Sequence, residues 1–214
     1  MSLEIPGGDI LTGILNVISQ SLTIPVIVIL IIFVIMSILL AGGLISEITS
    51  RKKTPVKVIN GMVSQFNDAK SINELKSIID NSDISSNIKD ILNDIISNEK
   101  LSIENREIYA RKLIEAEQDK AEEELRKTDI ITRIGPTLGL MGTLIPMGPG
   151  LAALGAGDVN TLANAIIVAF DTTVVGIGAG AVGYFVSKIR RRWYEEDLSN
   201  SDALADALLD KLNR

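Results

Sequence analysis

The chain contains no cysteine and no histidine. Without thiols there is no disulfide framework, no thiolate metal site and no cysteine nucleophile. Without imidazole the commonest general base and the commonest transition-metal ligand are missing, which excludes Ser-His-Asp catalysis and zinc hydrolysis. A basic excess is lacking too. Lys and Arg number 21 against 27 Asp and Glu, for a net charge of −6, and a phosphate-binding face needs the opposite sign. Nucleic acid is therefore not an expected partner. No catalytic residue, metal ligand set or cofactor is expected, and a membrane enzyme ranks last among the functional classes. Charge of either sign disappears from long stretches: residues 10–46 and 134–157 have none, and residues 159–187 have only Asp171.

What fills those stretches is apolar. Crossing a bilayer takes roughly 20 mostly apolar residues, and each stretch is long enough. Arg51, Lys52, Lys53 and Lys57 follow the first, while Lys188, Arg190, Arg191 and Arg192 follow the last. The positive-inside rule puts both basic ends in the cytoplasm, so three crossings with the N-terminus outside and the C-terminus inside fit without a leftover apolar segment. Trp193 and Tyr194 stand beside the second basic cluster, as interfacial anchors do. The first nine residues carry acids and no bases, unlike a secretory signal, so the first apolar run reads as a retained helix. The expected fold is all-α: an external or interfacial amphipathic helix at 1–21, transmembrane helices at 22–46, 130–157 and 158–187, a cytoplasmic helical domain at 47–129, and a cytoplasmic C-terminal helix at 188–214. The expected location is the cell membrane, in contact with lipid.

Within the cytoplasmic part, Thr54-Pro55 reads as an N-cap followed by a first-turn proline. Ser71-Ile-Asn-Glu74 fits a capping box. Ile88, Ile91, Leu92, Ile95 and Ile96 have the spacing of one helical face. No proline or glycine interrupts residues 102–134, so one helix is expected to run from the cytoplasm into the second crossing. In the tail, Leu204, Ala207, Leu208 and Leu212 mark an amphipathic helix able to pack on the loop helices.

The second and third crossings hold the candidate site. Gly135, Gly139 and Gly142 on the second, and Gly176, Gly180 and Gly183 on the third, recur at three- and four-residue steps and make stripes where helices can approach closely. Asn164, Asp171 and Gly178 are seven apart and share a face. Asp171 is the one ionisable residue well inside any crossing, where a charge costs at least roughly 2.5–3.5 kcal/mol, so it is a candidate for an ion path. Counting about fifteen residues either way from a turn near Asp158 puts Thr143 and Thr173 at the same depth, roughly 20 Å from the outer turn. Thr172 lies beside them. A helical threonine often bonds its own i−4 carbonyl, so only the shared depth beside an acid raises these hydroxyls.

These two crossings resemble the MotA/TolQ/ExbB proton channel family. Gly139-Leu-Met-Gly-Thr143 is similar to its G-L-x-G-T, and Ala169-Phe-Asp-Thr172-Thr173-Val-Val-Gly176 to its A-x-x-T-x-x-G. One crossing, a large cytoplasmic helical loop and a hairpin of two crossings match its order. The resemblance implies a homopentamer whose last two crossings line a central pore. It implies two copies of a single-span partner of the ExbD/TolR/MotB type, each bringing an aspartate. The function it implies is that of the pore-forming stator subunit of an H⁺- or Na⁺-driven motor, with Thr143 and Thr173 matching the threonines of its ion path. Read from their own place in the third crossing, Asp171, Thr172 and Asn164 join that candidate ion pathway; Asp171 does not stand where the family usually carries its acid. The other class of function is a non-conducting scaffold that recruits proteins through its cytoplasmic helices.

Overall fold

The computed structural model describes residues 8–51, 54–98 and 100–213, all of their regular structure helical. The reading of the first residues falls mostly outside them, as do Lys52 and Lys53. The order is α1 (Gly8–Ser21), α2 (Thr23–Ser50), α3 (Val56–Asp68), α4 (Ile72–Asn81), α5 (Ser86–Ser97), α6 (Ile103–Gly155) and α7 (Val159–Leu212). Three helical stretches are long and apolar enough to cross a membrane: Ile10–Ser50, Ile103–Gly155 and Val159–Leu212. The last two have 53 and 54 residues, about 80 Å of helix against a hydrocarbon core of roughly 30 Å, so only part of each lies in the bilayer. The chain divides into two compact units: Met1–Gly43 with Lys127–Ser187, and Leu44–Arg126 with Lys188–Arg214.

The first unit has an apolar core. Val26, Leu30 and Phe33 of α2 are buried with Ile131, Leu138 and Ile145 of α6 and Ala179 of α7. Ser37 donates to the Ala179 carbonyl at 3.3 Å, which leaves no buried hydroxyl unsatisfied on that side of α2. At the other end of the unit, Ser187 donates to Asp129 at 2.7 Å. The outward sides of these helices carry large apolar residues, including Ile24, Ile38, Leu144, Phe170 and Val174. In water such a surface would aggregate; in lipid or against other helices it is the stable arrangement.

The second unit has the core of a water-soluble bundle. Phe66, Ile79, Leu92, Ile95, Leu204 and Leu208 are fully or almost fully buried in one cluster drawn from α3, α4, α5 and the end of α7. The tail therefore packs on the loop helices through Leu204 and Leu208, with Ala207 and Leu212 half-buried beside them. Ser71 caps α4 by accepting from the Glu74 amide at 3.2 Å, while the Glu74 carboxylate reaches back to the Lys70 amide at 2.8 Å. The return arm of the box thus lands one residue earlier than the pattern implies. The cap of α3 differs from expectation. Pro55, extended at φ −68° and ψ 149°, is the N-cap, and the Thr54 hydroxyl is buried without a partner. Arg51 bonds Asp197 at 2.9 Å and lies 4.9 Å above the Trp193 ring, and Arg190 bonds Glu47 at 2.9 Å. The stretches 158–187 and 188–214 are one unbroken helix up to Leu212, because nothing after Gly183 removes an amide or relaxes the backbone.

The predicted join between the loop and the second crossing is continuous as well. Ser102 accepts from the Asn105 amide at 3.4 Å at the start of α6. The helix then runs past Pro136, Pro146 and Pro149 to Gly155. It stops in a Schellman motif: Asp158 N–H donates to the Ala153 carbonyl and Gly157 N–H to the Leu154 carbonyl, both at 2.9 Å, with Gly157 at φ +85°. Asp158 then caps α7 through the Thr161 amide at 3.1 Å and the Thr161 hydroxyl at 2.5 Å. The free amides and carbonyls at the two helix ends are thereby paired within a tight turn.

Candidate functional site: the glycine-lined hairpin

The α6–α7 hairpin is held together by absence of side chains. A Cβ on Gly176 would lie 2.6 Å from the Gly135 carbonyl oxygen and 2.8 Å from the Gly139 Cα. One on Gly180 would meet the Pro136 ring at 2.8 Å, and one on Gly183 the Thr132 hydroxyl at 2.9 Å. One on Gly142 would collide with the Thr172 side chain at 2.6 Å. All six predicted packing glycines thus sit in the α6–α7 contact: Gly135, Gly139 and Gly176 lie against backbone, and Gly142, Gly180 and Gly183 first meet the side chains of Thr172, Pro136 and Thr132. Gly150 extends the contact toward the turn, where a Cβ would meet Ala165 at 2.9 Å.

This stacking sets the register. Gly139 faces Thr172 and Thr173, and Gly142 faces Thr172. Thr143 therefore stands level with about Asp171, and its Cα is offset from that of Thr173 by less than one helical turn. The hydroxyls close the gap. Side chains lean toward the N-terminus of their own helix, so in an antiparallel pair these two lean toward each other. Thr143 Oγ1 lies 3.3 Å and Thr173 Oγ1 3.5 Å from the same Gly139 carbonyl. Each also donates within its own helix, Thr143 to Leu140 at 2.7 Å and Thr173 to Ala169 at 3.0 Å. Both are half-buried. Thr172 differs: it is buried against Gly142, and its hydroxyl donates to Val168 at 2.9 Å and Ala169 at 3.1 Å.

Asp171 points away from this contact. It is exposed, as are Asn164 and Gly178 on the same face, and it makes no hydrogen bond or ion pair with the described residues. Its neighbours on the surface of α7 are Ile167, Phe170 and Val174, at 57%, 66% and 70% exposure. A carboxyl group set among bare apolar side chains, with no partner among the described residues, calls for water, an ion or another chain beside it. Among the described residues no group of three or more Asp and Glu is placed to hold a metal ion.

Three helical stretches long and apolar enough to cross a membrane, with a polar patch on a close-packed hairpin, define a multi-pass membrane protein. The chain belongs to the MotA/TolQ/ExbB proton channel family, whose model matches residues 71–202, more than half of its length. The match begins at the cap of α4 and includes the whole hairpin; α1 and α2 precede it. A search of curated proteins found no match.

Proposed function

We propose that this chain is the pore-forming stator subunit of an ion-driven membrane motor. Five copies surround an axis, and the exposed face of each α6–α7 hairpin looks inward onto two single-span partner helices of the ExbD/TolR/MotB type. Ions pass between hairpin and partner by way of Asn164, Asp171 and the Thr143–Thr173 pair. The charge change on the partner's aspartate turns one component against the other. The chain itself does no covalent chemistry. It sits in the cell membrane with its N-terminus outside and its second unit in the cytoplasm.

The observation that carries this reading is the unpartnered carboxyl of Asp171 on an otherwise apolar helix face. Holding a charge at the bilayer centre costs roughly 2.5–3.5 kcal/mol or more, so a lipid-facing Asp171 is disfavoured and a watery lumen is favoured. The test is ion flux in proteoliposomes that contain the chain and its partner. Asp171→Asn and the double change Thr143→Val, Thr173→Val are each expected to reduce flux by at least tenfold. Flux at the wild-type rate in both variants would remove these side chains from the path.

A further inference from the structure

Thr143 and Thr173 are followed, on their own side of the hairpin, by a second polar pair. Residues seven apart on a helix lie within about 20° of one another, and residues fourteen apart within about 40°. Counting inward by sevens from Thr143 gives Pro136 and Asp129, and from Thr173 gives Gly180 and Ser187. The helices are antiparallel, so each step brings the next two residues together. A Cβ on Gly180 would lie 2.8 Å from the Pro136 ring. The Ser187 hydroxyl donates to the Asp129 carboxylate at 2.7 Å.

This is the edge of the hairpin that α2 leaves open. Ile131, Leu138 and Ile145, which α6 buries with α2, lie roughly 140° round the helix from Thr143. On the open edge Pro136 is exposed, and Asp129, Thr132, Thr143 and Thr173 are half-buried. Polar groups recur between the two pairs. Pro136 has no N–H, so the Thr132 carbonyl lacks its i+4 donor. That oxygen faces α7, 3.4 Å from where a Gly180 Cβ would stand. The Thr132 hydroxyl donates to the Thr128 carbonyl at 2.8 Å. Asp129 ends the line, about 21 Å of helix from Thr143. It stands where charge returns to the chain, among Arg126, Lys127 and Arg133 in sequence, just before the charge-free residues 134–157. A clasp between two helices needs no charge there, because an amide accepts from a hydroxyl equally well. Ser187 is only 6% exposed, and a carboxylate beside it gives up part of its hydration.

We propose that Asp129 is the inner acid of the ion path, which takes the cation after the Thr143–Thr173 pair and releases it to cytoplasmic water. Ser187 is the residue that positions its carboxylate. If the ion is a proton, the carboxylate accepts H⁺ from water on the lumen side and returns it to water on the other; if it is Na⁺, the carboxylate is a ligand and no bond is made or broken. The inference rests on the conducting reading above and adds its exit. The experiment is ion flux in proteoliposomes that contain the full chain and its partner. Asp129→Asn keeps an acceptor for Ser187 and removes the charge, and is expected to cut flux about tenfold or more. Asp129→Glu is expected to keep about a third of the wild-type rate or more. The exchange Asp129→Ser with Ser187→Asp, which moves the acid across the pair, is expected to do the same. Ser187→Ala keeps the charge and loses the clasp, and is expected to cost less than about threefold. Wild-type flux in Asp129→Asn overturns the assignment and leaves the motor reading standing. A loss in Asp129→Asn that neither acid-bearing variant recovers reflects packing and overturns it too, as does a larger loss in Ser187→Ala than in Asp129→Asn. Absence of flux in the wild type overturns the motor reading, and this exit with it.

Discussion

Gly176 and Gly178 are two residues apart on α7, and the structure assigns them opposite responses to one added methyl group. At Gly176 the new carbon would stand 2.6 Å from the Gly135 carbonyl oxygen and 2.8 Å from the Gly139 Cα. Carbon atoms prefer about 3.5–4.0 Å, so the two helices must part by about 1 Å, and no rotamer change relieves a clash with backbone. Overpacking of this kind costs about 1–3 kcal/mol. At Gly178 nothing lies within 4 Å. Both substitutions gain the same helix propensity, about 1 kcal/mol for glycine to alanine, so it cancels in the comparison. At about 2–4 °C per kcal/mol for a chain of this size, Gly176→Ala is expected to unfold about 2–12 °C below Gly178→Ala. The assay is circular dichroism during heating, in a detergent that keeps the chain monomeric. If Gly176→Ala unfolds at or above Gly178→Ala, the close approach of α6 and α7 is wrong, and with it the register that joins Thr143 to Thr173.

Two further changes probe the second unit. Thr54 is 5% exposed and its hydroxyl lacks a partner, so Thr54→Val is expected to stabilise by about 1 kcal/mol, read as a rise in the denaturant midpoint. Burial, and then the like charge of Asp206 one turn on, raise the Asp202 carboxyl above its ordinary range. A carboxyl raised in the folded state stabilises below its unfolded pKa of 3.8 and loses that contribution as pH rises through the folded value. Asp202→Asn is therefore expected to be more stable than wild type at pH 7, by a few tenths of a kcal/mol. The two are expected to converge below about pH 4 and to differ less in high salt. A constant gap from pH 3 to pH 8 would refute the electrostatic origin.

The hairpin glycines show how far the residue pattern reaches. Their three- and four-residue spacing announces two faces without side chains, and all six lie in the contact between α6 and α7. The pattern does not say which notch receives which backbone. Gly176 docks between Gly135 and Gly139, and that single choice brings Thr143 level with Asp171 instead of Thr173. A count centred on Asp158 misses it because the turn is centred one residue earlier: Gly155 ends α6, Gly157 takes a positive φ and Val159 starts α7, which moves the residue facing Thr143 from 173 to 171.

The number of apolar crossings, the helical class, the lone acid and the unbroken run into the second crossing follow from the residues in order, because hydropathy, charge and the effect of proline on its own helix are local properties. The Pro55 cap, the outward aim of Asp171 and the meeting of two hydroxyls at one carbonyl were decided by packing. Those depend on which surfaces touch, and contact between residues dozens of positions apart is a property of the folded chain alone.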